Sequence, residues 1–229
     1  MDLKIQSRLA ELGIKTFLPT IEQLNFRGKD KLFDFCSSHK IKVPKNVLAS
    51  SIQDIYSLKK DFDYPVVVKG IFYDAYICNN FEEVVTAFEK ISMKWGYPII
   101  IQESVRGDEY NVVALGDGTG ATVGAVSMRK LYITDKGKGW AGITIDDKAI
   151  LEISRKLIKE LKWRSGMELE FIKDSETGEY YLLEINPRFP AWVFLAPSAG
   201  QNLPYSLVKL ATGEKVEPFT SFSIGKIFV

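Results

Sequence analysis

The chain has 229 residues, and its 30 Lys and Arg against 29 Asp and Glu leave the net charge close to zero. This balance and the absence of a basic run argue against nucleic acid or an anionic membrane as a partner. No apolar stretch approaches membrane-spanning length, the N-terminus lacks the apolar region of a signal peptide, and two cysteines stand in no metal-binding spacing. A cytoplasmic protein of one large domain or two intimate subdomains is predicted.

Helical and strand patterns follow one another along the chain. Ser51 opens a capping box before a helix to about residue 60, and Asn80 precedes a helix whose apolar positions share one face through residue 91. Residues 122–133 form a strand-like run. Asp146 then begins a further amphipathic helix to residue 161.

Two acidic strands follow this helix, separated by the turn-rich residues 174–178. Strand side chains alternate between faces, so Glu168 and Glu170 share one face of the first strand. Glu184 and Asn186 likewise share one face of the second strand, with Leu182 and Tyr180 behind them. Glu170 and Glu184 are an even number of positions apart. An unbulged hairpin is therefore expected to bring both carboxylates to one face.

The end of this hairpin has residues suited to binding a metal ion and phosphate. Glu170, Glu184 and Asn186 offer hard oxygen ligands, and Pro187 ends the strand so that Arg188 leaves the sheet beside them. This combination suits a magnesium-bound polyphosphate, with the three residues holding one or two Mg²⁺ ions. The alternative is a solvated acidic face on an edge hairpin, and that alternative is favoured for Glu168.

The segment Glu184-Ile185-Asn186-Pro187-Arg188, preceded by Glu170, resembles the metal-binding end of the ATP-grasp superfamily, most closely its carbamoyl-phosphate-synthetase-like branch. The resemblance implies two α+β subdomains that hold ATP between their sheets. It also implies an ATP-dependent carboxylate–amine ligase that uses Mg²⁺ or Mn²⁺. In such a ligase, ATP phosphorylates a small carboxylate and an amine or ammonia attacks the acyl phosphate.

The same resemblance assigns roles to other positions. Lys31 and Lys69 match the two lysines that contact the nucleotide phosphates, and Glu109 matches the acid that binds the ribose. Arg188 would stabilise the transferring phosphoryl group or bind the acceptor carboxylate. The strand whose backbone reads the adenine edge corresponds to Gln102, Glu103, Ser104 and Val105.

One departure from the family concerns the glycine-rich loop expected just after Lys69. Residues 70–76 contain one glycine and bulky aromatics, which cannot approach phosphate closely. A second candidate is the loop at residues 134–142, where Lys138 could meet phosphate or the acyl intermediate; an ordinary basic surface loop is an equal alternative. Arg129 and Lys130, just upstream, are further candidates for contacts with an anionic substrate.

The second departure is at the N-terminus, where about thirty residues precede Lys31 in place of a Rossmann-like pre-grasp domain. The predicted division is a pre-grasp remnant at 1–28, an N-terminal subdomain at 29–97 and a C-terminal subdomain at 98–229. The remnant is predicted to form a short helix and strand. Its apolar residues are expected to pack in a homodimer or against a partner chain that supplies the missing half; they are Leu3, Leu9, Leu12, Ile14, Phe17 and Leu18.

Two other functions are compatible with this pattern. The fold could be a non-catalytic nucleotide-binding module. The glycine-poor loop after Lys69 and the absent pre-grasp domain favour this interpretation. The chain could also be one half of a split ligase. The retained lysines, metal ligands and Arg188 favour a catalytic protein.

Overall fold

A computed structural model describes residues 3–26, 29–71, 74–134 and 139–229, without the side chains of residues 3, 4 and 29–31. It divides into two compact units. One, the four-stranded unit, is Gly28–Arg106, and the other, the six-stranded unit, joins Met1–Arg27 to Gly107–Val229. This division differs from the expected one: residues 98–106 belong with the four-stranded unit, and the N-terminal segment belongs with the larger unit.

Helices and antiparallel strands occur in runs along the chain, as an α+β fold requires. The helices are α1 (Leu3–Glu11), α2 (Ile21–Asn25), α3 (Lys29–Ser38), α4 (Ile52–Ser57), α5 (Phe81–Trp95), α6 (Lys148–Glu160), α7 (Leu195–Ser198) and α8 (Leu203–Thr212), with a 3-10 helix at Lys59–Asp61. The strands are β1 (Asn46–Ala49), β2 (Val66–Gly70), β3 (Ala75–Cys78), β4 (Ile99–Glu103), β5 (Gly107–Asp117), β6 (Thr122–Ile133), β7 (Gly139–Thr144), β8 (Arg164–Asp174), β9 (Tyr180–Asn186) and β10 (Ile227–Phe228). Within the described residues, no helix is long and apolar enough to cross a membrane.

The four-stranded unit has an antiparallel sheet in the order β1-β4-β2-β3, with α5 packed against β2. Ser51 and Asp54 form the predicted capping box of α4, although this helix ends at Ser57 and a 3-10 turn follows it. Asn80 caps α5 as predicted by accepting from the backbone of Glu83. The core formed between α5 and the sheet includes the buried free thiol of Cys78.

The six-stranded unit has an antiparallel sheet in the order β10-β7-β6-β5-β8-β9. Strand β6 has the predicted bounds, and α6 is capped by Asp147, one residue beyond the predicted start. Residues 134–142 were predicted to form a loop, and this is wrong for residues 139–142, which belong to β7 and pair with β6. Gly142 lies directly against Met128 and Phe228, and a side chain at this position would force them to move.

Residues 16–25 pack within the six-stranded unit, which corrects part of the expectation for the N-terminal segment. Phe17 is buried, and the Arg164 guanidinium lies 4.3 Å from its ring centre. Gln23 donates hydrogen bonds to the backbone carbonyls of Leu161 and Lys162 at 3.2 and 2.6 Å. The predicted strand is absent, because residues 14–20, all of them described, lie in neither helix nor strand.

The β8–β9 hairpin has a bulge that decides which side chains share a face. Its paired residues include Glu168 with Asn186, Glu170 with Glu184, Phe171 with Leu182, and Lys173 with Tyr180. If the register near the turn continued along the hairpin, Glu184 would lie on the face opposite Glu170. The extra residue Leu183 shifts the register by one residue, and the two carboxylates therefore lie on the same face. The prediction that Glu170 and Glu184 share a face is therefore correct, but the hairpin that was assumed to be regular contains a bulge. Leu182 and Tyr180 lie on the other face, contrary to the prediction.

Candidate functional site

Polar side chains gather on one face of the six-stranded sheet, across β6, β5, β8 and β9. We call this group the acidic face. It consists of Glu109, Asn111, Lys130, Glu168, Glu170, Glu184, Asn186 and Arg188. Three of the strands contribute residues at alternate positions, so the pleat of the sheet points these side chains the same way.

Lys130 is the buried cation of the acidic face. Its side chain is 2% exposed, and its Nζ lies 2.6 Å from Glu109 Oε2 and 3.4 Å from Glu170 Oε2. Burial acts against the charged form, but the charge of Glu170 and the hydrogen bond to Glu109 outweigh it and raise the pKa of Lys130. Lys130 therefore stays charged and holds two of the carboxylates in place.

Glu168 is buried and surrounded by donors, so its interpretation as a solvated residue is wrong. Its Oε1 accepts from Asn111 Nδ2 at 2.7 Å and from Trp192 Nε1 at 2.9 Å. Its Oε2 accepts from Asn186 Nδ2 and Arg188 Nη1, both at 3.3 Å. Burial, followed by the negative charge of Glu170, raises the pKa of Glu168 despite these donors. The strand pattern missed this, because the covering Trp192 comes from a segment beyond β9.

The predicted metal ligands lie together at the end of the hairpin. Glu170 is directly opposite Glu184, and Asn186 Nδ2 donates to Glu170 Oε1 at 2.8 Å. Like charges directly opposite each other destabilise a sheet unless a cation separates them. Carboxylate and amide oxygens are the ligands preferred by Mg²⁺ and Mn²⁺, so the donor chemistry of the three residues fits such an ion. In the part of the chain that is described, no cluster of three or more His, Cys, Asp or Glu residues forms a metal site.

Arg188 leaves the sheet just beyond these residues, as predicted. Its side chain is 60% exposed, and Nη1 contacts Glu168 and the carbonyl of Phe189, the latter at 3.4 Å. Among the described residues, no acceptor contacts its Nε or Nη2. The fork of the guanidinium is thus anchored on one side and open to an anion on the other.

Arg129 does not join the acidic face. It pairs with Tyr110 across β5 and β6, on the opposite face from Lys130, and its guanidinium lies 3.7 Å from Asp108 at the surface. The structure therefore brings Lys130 rather than Arg129 to the carboxylates. Alternation along β6 would have distinguished the two residues had the cross-strand register been known. Lys138 lies outside the described residues.

The four-stranded unit carries the remaining predicted nucleotide residues. Lys69 ends the apolar run of β2, and its Nζ donates to Gln102 Oε1 on β4 at 2.5 Å. Glu103 is bonded to the backbone of Lys45 through both its own N–H and its carboxylate. Ser104 and Val105 follow β4 in a connection that is neither helix nor strand. The side chain of Lys31 lies outside the described residues.

Comparison with known proteins identifies the class. A family model described as ATP-grasp in the biosynthetic pathway with Ter operon matches residues 97–227, more than half of the chain. The chain belongs to this ATP-grasp family. The resemblance inferred from Glu170 and the segment 184–188 is therefore confirmed, as is the α+β ATP-grasp fold.

A curated relative illustrates the similarity in sequence. The chain is 25% identical over 231 residues to the carbamoyl phosphate synthase large chain of Methanobrevibacter smithii, covering 92% of this chain and 22% of that one. It thus spans about a fifth of the length of the curated relatives it matches.

Two solved structures share the fold. The biotin carboxylase–beta-gamma-ATP complex from Campylobacter jejuni superimposes with a TM-score of 0.79 at 17% identity, covering 95% of this chain and 53% of that one. The biotin carboxylase domain of the Hydrogenobacter thermophilus 2-oxoglutarate carboxylase, solved with MgADP and bicarbonate, has a TM-score of 0.78 at 18% identity, covering 96% and 53%.

Proposed function

We propose that this protein is an ATP- and Mg²⁺-dependent carboxylate–amine ligase. The observation that carries the proposal is the arrangement at the end of the hairpin, where Glu170, Glu184 and Asn186 lie together and Arg188 follows them. These residues fall within the segment matched by the ATP-grasp family model. Relatives named carbamoyl phosphate synthase, and a structural neighbour solved with MgADP and bicarbonate, support this reaction class.

The reaction would proceed by positioning and charge neutralisation. The substrate carboxylate attacks the γ-phosphorus of ATP, which forms an acyl phosphate and releases ADP; an amine then attacks the acyl carbon and phosphate leaves. A divalent cation held by Glu170, Glu184 and Asn186 would neutralise charge on the phosphate oxygens. Arg188 would present its guanidinium to the phosphoryl group or to the acceptor carboxylate.

Nucleotide binding is assigned to further residues as part of the same proposal. Lys69, held by Gln102, and Lys31 would contact the phosphates, and Glu109 would accept from the ribose hydroxyls. Because the N–H of Glu103 already donates to Lys45, adenine recognition is assigned to the Glu103 carbonyl and to the backbone of Ser104 and Val105. Lys130 holds Glu109 and Glu170 in the orientation that both roles need.

Calorimetry with ATP tests the binding half of this proposal. The chain is expected to bind ATP more tightly with Mg²⁺ than without it. Lys69→Met should weaken the complex about tenfold, the value of one hydrogen bond to a charged group. Lys60→Met, an exposed lysine of the same unit, is the matched control. Absence of ATP binding with and without metal would refute the assignment.

Turnover tests the chemical half. ADP release should be screened with pools of amino acids and small carboxylic acids, with and without ammonia or amines. A pool that accelerates ADP release clearly over ATP alone would identify the carboxylate. Tight MgATP binding with no stimulation by any pool would favour the non-catalytic nucleotide-binding module, which the retained Glu170, Glu184 and Arg188 argue against.

A partner for the N-terminal segment is also proposed. Ile5, Leu12 and Ile14 are 53%, 58% and 49% exposed, whereas Phe17 is buried within its own unit. We infer that this apolar surface packs against a second copy or a separate chain. Sedimentation should reveal an assembly that Leu12→Asp disrupts, and a monomer at all concentrations would contradict a homodimer.

The buried free thiols of Cys36 and Cys78 favour a reducing, cytoplasmic location.

A further inference from the structure

Glu168 joins the scaffold of the six-stranded unit to the residues assigned to catalysis. We propose that Glu168 is a positioning residue: one carboxylate oxygen is fixed by Asn111 and Trp192, and the other orients Arg188 and the amide of Asn186. The inference rests on the proposed function, because it presupposes the roles of Arg188 and Asn186. It does not require Glu168 to contact substrate or metal.

The hydrogen bonds divide cleanly between the two oxygens. Oε1 makes the shorter bonds, 2.7 Å from Asn111 Nδ2 and 2.9 Å from Trp192 Nε1. Oε2 lies 3.3 Å from both Asn186 Nδ2 and Arg188 Nη1. The carboxylate is thus held firmly on the side of the scaffold and more loosely on the side of the exposed guanidinium.

Only a carboxylate can satisfy this environment. All four neighbours present N–H donors, and an ionised glutamate offers two oxygens with no donor of its own. In Glu168→Gln, the new amide NH₂ group would point against one pair of these donors. Glu168 is 5% exposed, so water cannot replace a lost bond, and the misplaced donors would have to move.

The scaffold side of Glu168 is itself well fixed. The Trp192 ring stacks on Phe228 with the centroids 6.1 Å apart and the planes inclined by 18°. Asn111 lies in the middle of the sheet, 2% exposed, and its Oδ1 has no partner among the described residues. Strand β5 and the segment after β9 therefore set the direction of the carboxylate, which in turn orients Arg188.

The first test needs no nucleotide. Trp192→Phe identifies the Trp192 indole N–H among the four tryptophan signals in a ¹H–¹⁵N spectrum. Glu168→Gln should shift the Trp192 signal upfield, because a charge-assisted hydrogen bond is lost. Glu176→Gln, in the exposed loop of the same hairpin, should leave it unchanged. An unshifted Trp192 signal in Glu168→Gln would overturn the proposal.

The second test measures ATP turnover. Glu168→Gln should lower kcat about 10- to 100-fold, as is typical of residues that orient catalytic groups, and leave the KM for MgATP within about twofold. In an Arg188→Ala background, the same substitution should cause a smaller loss, because one of the two groups that Glu168 orients is gone. Losses that multiply, or an unchanged kcat, would overturn the positioning role.

Two further measurements distinguish failure of a variant to fold, or failure of the proposed function, from failure of this inference. If Glu168→Gln does not fold, Trp192→Phe keeps the ring stack and removes one donor, and it should lower kcat about threefold to tenfold at unchanged KM. Wild-type turnover in Trp192→Phe would then reject the proposal. If the wild-type protein binds no MgATP, the proposed function fails, whereas the indole signal still decides whether Glu168 links the scaffold to this site.

Discussion

The two faces of the six-stranded sheet carry ionic groups of different kinds. On the face covered by α6, Asp147 accepts from Lys173 Nζ at 3.1 Å and from the Tyr180 hydroxyl at 2.8 Å, and it also caps the helix. That group pairs one carboxylate with one cation. On the acidic face, the cations among the described residues are Lys130 and Arg188, and four carboxylates lie on the same face; they are Glu109, Glu168, Glu170 and Glu184.

The difference appears in the pKa values. Burial raises the pKa of Asp147, but the donors Tyr180 and Lys173 outweigh it and the net shift is downward. Burial and the charge of Glu170 raise the pKa of Glu168 in spite of its donors. A balanced ionic group is complete within the protein, whereas an excess of negative charge indicates a place for a cationic ligand. Charge balance, rather than the number of charged residues, therefore distinguishes the structural face from the face to which we assign the function.

The largest effect is expected from Arg188, the exposed cation of the acidic face. Arg188→Lys keeps the charge but loses the fork that contacts Glu168 and that we propose also binds the phosphoryl group. Loss of one preorganised donor costs about 3 kcal/mol, so kcat should fall roughly a hundredfold while ATP affinity changes little. Steady-state kinetics with the identified substrate provides the measurement. Wild-type turnover in this variant would make Arg188 structural.

Lys130, the buried cation, should matter for stability. Lys130→Met leaves Glu109 and Glu170 without their common partner and increases the excess of negative charge. We expect the free energy of unfolding to fall by about 2 kcal/mol, the value of a hydrogen bond between charged groups. Added Mg²⁺ should recover part of the loss, because it supplies positive charge beside the same carboxylates.

Urea unfolding with and without Mg²⁺ measures this effect. Lys215→Met is the control, since the Lys215 side chain is 86% exposed and pairs with Glu217 at the surface. Equal stabilities for Lys130→Met and the wild-type protein would show that the acidic face does not depend on its buried cation.

The strands of the acidic face could be predicted from the sequence, but the links between them could not. Alternation identified Glu170, Glu184 and Asn186, and the strand at 122–133 has the predicted bounds. Two features depended on long-range structure. The bulge at Leu183 sets the face of Glu184, and the register of β5 with β6 selects Lys130 over Arg129. Local pattern carries no information on either register.

The role of Glu168 was missed for a related reason. An alternating acidic strand is usually half solvated, and nothing nearby in the sequence indicates that Trp192 will cover it. The packing of Phe17 against Arg164 is a second case, since the partners are far apart in the chain. Helix caps were easier to predict, because the caps at Ser51 and Asn80 depend on residues three positions apart.

Substitution of Glu184 tests whether the excess negative charge of the acidic face binds a metal ion. Glu184→Gln removes one negative charge from the exposed end of the acidic face and leaves a side chain of the same shape. The wild-type preference for ATP with Mg²⁺ over ATP alone should fall about tenfold, and affinity for metal-free ATP should be unchanged or slightly higher. Calorimetry in EDTA and in Mg²⁺ measures both values. Glu179→Gln, on the exposed end of the same hairpin, serves as the control, and an unchanged metal dependence would exclude Glu184 as a ligand.

The smallest effect is expected on the balanced face, from Asp147. Asparagine also caps helices well, so Asp147→Asn should keep α6 and lose mainly the ion pair with Lys173 and the charge-assisted hydrogen bond from Tyr180, at a cost of about 1 kcal/mol. The folded-state pKa of Asp147 lies below its ordinary value of 3.8, so its contribution is complete above that pH and disappears as the pH falls through the folded-state pKa. Urea unfolding of both proteins from about pH 7 to about pH 3 should therefore show a difference that shrinks only at the acid end. Asp146→Asn, one residue earlier and exposed, should show none of this difference at any pH. A difference between wild type and Asp147→Asn that grew on acidification would mean that Asp147 is held as an acid rather than as a carboxylate, and the contrast between the two faces would lose its basis.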